Sequence, residues 1–90
     1  MNIENIIEAI LMVSSEPLTA EKLYQTIDET DVKLKDIKLA LEVLQKFYQD
    51  RGIELIEVAS GFRFQARADY KQWFHKLLQE KPQRYSKALL

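Results

Sequence analysis

No cysteine occurs among the 90 residues, and there are only two glycines, two prolines, one histidine and one tryptophan. Without thiols the chain can form neither a disulfide nor a thiolate metal site, and one histidine leaves too few ligands for a zinc centre. A reducing compartment fits such a composition. With Gly52 and Gly61 as the only glycines, no glycine-rich phosphate loop can be drawn, and neither G-x-S-x-G nor H-E-x-x-H is present. Long apolar runs are missing as well. The longest, Ala9 to Val13, falls far short of a membrane span, and Glu4 and Glu8 stand where a signal peptide would carry basic residues.

What is present suits one small soluble domain: 47% of the residues are hydrophobic and 30% are charged, too apolar a mixture for a disordered chain. A chain of this length buries roughly 60 to 65% of its unfolded surface, enough for a single modest core. The net charge of -1 conceals a gradient. Residues 1–31 carry Glu4, Glu8, Glu16, Glu21, Asp28, Glu29 and Asp31 against Lys22 alone, whereas residues 71–90 carry Lys71, Lys76, Lys81, Arg84 and Lys87 against Glu80. Such a basic end is either a solvated face with a charged linker or a weak electrostatic dock for an acidic partner or nucleic acid.

The hydrophobic pattern predicts a mainly α chain with one β-hairpin. Ile3, Ile6, Ile7, Ile10 and Leu11 recur at helical spacing and predict a first amphipathic helix ending near Ser14-Ser15. In "SEPLTAEKLYQTI", Pro17 marks a turn, Thr19 is an N-cap, and Leu18 and Leu23 occupy the two positions of a hydrophobic staple, so a short second helix runs to about Ile27. A polar break at Asp28 to Asp31 follows. The third helix is predicted from about Leu34 to Asp50 on a stripe of Leu34, Ile37, Leu41, Leu44 and Tyr48, with Gly52 as a left-handed stop. Next, "IELIEVA" and "FRFQAR" read as strands joined at Ser60-Gly61. A last helix, from near Asp69 to just before Pro82, puts Tyr70, Trp73, Phe74, Leu77 and Leu78 on one face. Three helices, a hairpin and a further helix are the order of a winged helix-turn-helix domain.

Nothing in this pattern builds an enzyme. His75 lies at the edge of the last helix with no evident nucleophile, and Glu54 and Glu57 fall on opposite faces of a strand, where they cannot converge on one substrate. The sequence therefore predicts no catalytic, cofactor-binding or metal-binding residue.

A winged helix raises the question of DNA, which a recognition helix reads with polar side chains in a basic surround. Here Lys33, Lys35, Lys38 and Lys46 stand against Asp36, Glu42 and Asp50, a balance of only plus one. At 100° per residue Leu39 and Val43 fall roughly opposite the core stripe, with Phe47 at their edge, where a DNA reader would place polar groups. The hairpin is apolar on both faces, Ile53 and Leu55 on one and Ile56 and Val58 on the other, which calls for a cover from the last helix or from a partner. The wing tip, Ala59-Ser60-Gly61, brings no basic residue. Leu39, Val43, Phe47 and Leu55 are accordingly the candidate protein interface. The chain's last ten residues, "KPQRYSKALL", read as a stop at Pro82, an N-cap at Ser86 and the first turn of a further helix.

Three stretches, "IIEAILMVSSEPLTAEKL", "IKLALEVLQKFYQDRGIELIEVASGFRFQARADY" and "KLLQEKPQRYSKALL", together resemble the N-terminal half of the segregation and condensation protein B family. The family's E-P-L turn falls on Glu16, Pro17 and Leu18, and its wing motif on Leu55, Glu57, Val58, Gly61, Phe62 and Phe64. Ser15, Ser60 and Tyr85 depart from the family's usual Gly, Gly and Leu. The resemblance implies an N-terminal winged-helix domain over residues 1–81. Residues 82–90 would then be a linker and the first turn of an absent second winged-helix domain, in whose core Leu89 and Leu90 would be buried. It also implies a non-enzymatic subunit of the bacterial SMC–kleisin complex that condenses and segregates chromosomes. Such a subunit would form a homodimer, bind the kleisin (segregation and condensation protein A) and through it reach the SMC ATPase. It would be cytoplasmic and associated with the nucleoid, without cofactor, membrane contact or sequence-specific DNA binding. The alternative is a winged-helix DNA-binding transcription regulator, which the fold order and the basic end favour.

Overall fold

The computed structural model describes residues 1–79. Asn2 opens the first helix, α1 (Ile3–Val13), by accepting the Asn5 N–H on its side-chain oxygen at 3.0 Å. The helix ends where Ser14 turns to extended backbone, and the Ser14 hydroxyl donates to the Glu16 carbonyl at 2.6 Å, shaping the bend before Pro17. Thr19 caps α2 (Ala20–Ile27) through its hydroxyl and the Lys22 N–H, and α2 stops at Asp28, whose φ of 50° is one of the left-handed positions that a short polar side chain tolerates. At the head of α3 (Leu34–Phe47) the Asp36 carboxylate accepts the Lys33 N–H at 2.9 Å. Lys33 has only donors to offer, so half of a capping box forms there.

Helix α3 is the centre of the domain. Ile37, Ala40, Leu41 and Leu44 are buried at i, i+3, i+4 and i+7, and α3 packs against α1, α2 and the first strand. Ile7 and Leu11 of α1, Ala20 and Leu23 of α2, Val32 in the connecting loop and Leu55 of the hairpin complete the core. Ile7, Leu23, Ile37 and Leu41 are buried almost completely, each contributing about 1.5–3 kcal/mol of hydrophobic stabilisation. Val32 lies just past the polar break, and the periodic pattern gave no sign of it.

The hairpin consists of β1 (Ile53–Val58) and β2 (Gly61–Ala66), paired antiparallel with Leu55 opposite Phe64 and Glu57 opposite Phe62. Leu18 adds a third, one-residue rung: its N–H donates to the Phe62 carbonyl at 3.0 Å, and the Phe62 N–H donates to the Leu18 carbonyl at 2.7 Å. The E-P-L turn and the wing, far apart in sequence, are thereby one piece of sheet. Beyond it come a 3-10 turn, Ala68–Tyr70, and α4, helical at 71–79. The architecture is a winged helix-turn-helix, as the element order predicts.

Three expectations are corrected. Helix α3 ends at Phe47 instead of running to Asp50, and Gly52 does not adopt the left-handed conformation expected of a stop. Past its end the backbone tightens into turns, Gln49 N–H donating to the Lys46 carbonyl and Arg51 N–H to the Tyr48 carbonyl, and the Arg67 guanidinium donates to the Tyr48 carbonyl at 2.7 Å and to the Arg51 carbonyl at 2.9 Å, filling acceptors that a continuing helix would have used. The hairpin turn is Ala59-Ser60, with Gly61 already in β2 at a φ of 134°. Finally, α4 begins after the 3-10 turn instead of near Asp69. The helix end before Pro82, the linker, Tyr85, Ser86, Leu89 and Leu90 lie outside the described residues.

Candidate protein interface

Residues four apart on a helix stack along one face, so α3 presents Leu39, Val43 and Phe47 as a single row. The row points away from the core: Leu39 is 58% exposed, Val43 51% and Phe47 65%. Burial of Ile37, Leu41 and Leu44, roughly opposite Leu39 and Val43, fixes this phase, because rotating α3 to hide the row would expose the core residues. Leu55, included with the row as a candidate, belongs elsewhere. Only 5% exposed, it is part of the core and faces Phe64 across the hairpin. The strand's inner face takes it because Leu55 shares that face with half-buried Ile53, beneath α3.

Beside the row runs a groove between α3 and α1, floored by Val43, Leu44 and Phe47 and edged by Asn2, Glu4, Asn5 and Glu8. One wall is therefore apolar and the other acidic. Tyr48 stiffens the groove's end: its hydroxyl donates to the Glu8 carboxylate, and its ring meets Phe47 and Phe64 edge-on, each with centroids 5.0 Å away. The hydrogen bond to Glu8, followed by burial and the Glu8 charge, raises the Tyr48 phenol above its usual value near 10, with Arg51 opposing the shift. Sequence reasoning found the α3 row but missed the acidic wall, since which helix lies beside α3 is decided by packing and cannot be read from either helix alone.

The cleft on the other side of α3, between that helix and the wing, is lined by Glu21, Glu42 and Glu57 against Lys38. Polyanionic DNA would be repelled there. No helix among the described residues is long and apolar enough to cross a membrane, and those residues contain no cluster of three or more His, Asp or Glu arranged for a metal ion.

Among the described residues nothing covers most of the apolar side of helix α4, on which only Phe74 is half-buried. Tyr70 before it is 44% exposed, and Trp73, Leu77 and Leu78 are 58%, 51% and 50% exposed. These residues occupy the one face that periodicity predicts, yet that face is not buried against the hairpin. His75 is exposed and meets Phe74 edge-on at 5.4 Å.

Comparison with known proteins places this arrangement. The family model described as "Segregation and condensation complex subunit ScpB" matches residues 5–90. The chain belongs to the segregation and condensation protein B family. It is 50% identical over 91 residues to the segregation and condensation protein B homolog of Coxiella burnetii, covering all of this chain and 44% of that protein. With segregation and condensation protein B of Bacillus pumilus the identity is 35% over 92 residues, covering all of this chain and 46% of the relative. The chain thus spans under half the length of these relatives. Among solved structures, ScpB from Mycobacterium tuberculosis superposes with a TM-score of 0.78 at 24% identity, over 89% of this chain and 49% of that one. A crystal structure described as a dimer of the ScpB N-terminal domain complexed with ScpA peptide gives 0.71 at 24% identity, over 81% and 84%. At that identity both likenesses speak for the fold alone.

Proposed function

We propose that the chain is a non-enzymatic subunit of the bacterial SMC–kleisin complex, acting in chromosome condensation and segregation by forming a homodimer and binding the kleisin. Residues 1–81 are read as the N-terminal winged-helix domain of a longer family member, with residues 82–90 leading toward a second. The observation that carries the reading is the row of Leu39, Val43 and Phe47, exposed on the helix with which a DNA-reading winged helix would meet bases. An apolar row costs little when another protein covers it and gives no hydrogen bonds to base edges. Family membership supplies the setting, since the relatives are named for segregation and condensation and one solved structure of similar fold is described as a dimer of the ScpB N-terminal domain complexed with ScpA peptide. The place of action is the cytoplasm, at the nucleoid.

Sedimentation of the chain at tens of micromolar should give twice the monomer mass, and calorimetric titration with kleisin from the same source should show saturable binding. A clean monomer that ignores kleisin would overturn the reading. The second reading, a winged-helix DNA-binding regulator, is favoured by the fold and by Lys71 and Lys76 on α4. A phosphate-gripping module would bind generic duplex with a log K that falls steeply against log salt. The acidic cleft between α3 and the wing argues for weak binding with a shallow slope.

A further inference from the structure

Among the described residues two apolar surfaces stand exposed, and their charges are opposite. The α1–α3 groove is apolar on the side of Val43 and Phe47, while α1 contributes Glu4 and Glu8 and contains no basic residue. Helix α4 is the counterpart. Residues 71–79 contain Lys71 and Lys76 and no acidic residue. At 100° per residue the sector of Tyr70, Trp73, Phe74, Leu77 and Leu78 is bordered by Lys71 on one side and Lys76 on the other. A helix laid in a groove by its apolar side, with lysines at the rim, requires an apolar floor and an acidic wall. That combination is present on α1 and α3.

We propose that α4 of one copy of this chain seats in the α1–α3 groove of a second copy, Trp73 and Leu77 on Val43 and Phe47, with its lysines toward Glu4 and Glu8. The occupant is a second copy because α4 leaves its own chain's groove open: Val43, Phe47, Trp73 and Leu77 are all at least half exposed within a single chain. Exchange in both directions closes a two-fold dimer in which each copy both gives and receives a helix, so the contact does not propagate from copy to copy. The inference rests on the proposed self-association and names the surfaces that make it.

The sequence supplies its own probes, since Trp73 is the only tryptophan and no cysteine is present. Diluting the unmodified chain through the sedimentation range should move the Trp73 emission from short to long wavelength in step with dissociation. Mixing singly substituted V43C and L77C chains under mild oxidation should give the mixed disulfide in excess over either homodisulfide. A dimer whose Trp73 emission stays that of a water-exposed indole, or which crosslinks as V43C pairs or L77C pairs alone, overturns the inference while leaving self-association standing. An emission already at short wavelength in the monomer means that α4 docks on its own chain, and a shift that needs added kleisin gives α4 to that partner; either result overturns it too. If sedimentation finds only monomer, the self-association reading itself has failed.

Discussion

The guanidinium of Arg67 reaches the Tyr48 carbonyl at 2.7 Å, tying the residue just after the wing to the residue just after α3. The same group donates to the Arg51 carbonyl at 2.9 Å and pairs with Glu54 at 3.1 Å, while the Arg67 backbone N–H donates to the Gly52 carbonyl at 2.9 Å. One side chain thus binds the end of a helix to the start of the segment after the wing. Arginine suits the task because its planar fork presents donors in several directions at once.

Replacement of Arg67 by Ala removes the side-chain bonds and leaves the half-buried Tyr48 carbonyl and the exposed Arg51 carbonyl without the guanidinium. The expected loss is about 2 kcal/mol, typical of hydrogen bonds to a charged donor, and a fall in Tm of about 10 °C for a domain this size. Urea denaturation measures the first and calorimetry the second. Arg67→Lys should recover only part, because an ammonium cannot span the same three partners. Unchanged stability in both variants would mean that hydration replaces the guanidinium without cost.

Gly61 and Gly52 make opposite predictions. At Gly61, φ is 134° and an added Cβ would lie 2.3 Å from the Leu18 carbonyl carbon, inside the close approach that joins the E-P-L turn to the wing. Gly61→Ala must open that rung, at a cost of roughly 3 kcal/mol or more from backbone strain and the lost pairing. Around Gly52 a Cβ would meet nothing within 4 Å, and φ is not in the left-handed range. Gly52→Ala should be neutral or stabilise by up to about 0.5 kcal/mol through the unfolded chain. Chemical denaturation of the two variants side by side gives the contrast, and equal effects would contradict the geometry.

This glycine pair also marks how far the sequence could be read. Helices α1 and α2 were legible to within a residue or two because apolar period and caps coincide: Thr19 is both the predicted N-cap and the observed one. The end of α3 was not, since Gly52 is the local stop signal, whereas the chain already turns at Tyr48–Arg51 and the Arg67 guanidinium that fills the carbonyls there lies 15 positions farther along than Gly52. Likewise the exposed row of Leu39 and Val43 followed from the phase of one helix. Leu55 was misassigned because both faces of β1 are apolar, so alternation could not say which one α3 covers. The acidic wall of the groove required two helices to be placed together.

Tyr48 predicts a pH dependence at the alkaline end. Its hydrogen bond to Glu8 favours the protonated phenol and raises its ionisation above the usual value near 10. In the unfolded chain the phenol ionises first, so the stability it contributes is fully present below pH 10 and is lost as pH rises through the raised value. Spectrophotometric titration of the phenols should show the Tyr48 phenolate appearing above its usual value. Tyr48→Phe should abolish that late step, and Glu8→Ala should bring it back toward the usual value near 10. Survival of the late step in Tyr48→Phe would assign it to another tyrosine.

Leu39 and Val43 provide the test of the surface itself. Replacing both with Glu leaves the buried side of α3 untouched, so the monomer should lose no more than about 0.5 kcal/mol at each exposed site. In an interface the same carboxylates would enter a desolvated apolar patch already walled by Glu4 and Glu8, where unpaired charge costs several kcal/mol and adds like-charge repulsion. Dimerisation should therefore weaken by at least 100-fold, from about 3 kcal/mol, while the denaturation midpoint measured at high dilution barely moves. Substitution by Lys should do less damage, because the acidic wall partly compensates a cation. A variant that melts far below its parent would place both residues in the core, against their exposure. One that folds normally and still associates with undiminished affinity would remove the α3 row from the interface and leave α4 and the hairpin as the surfaces to test.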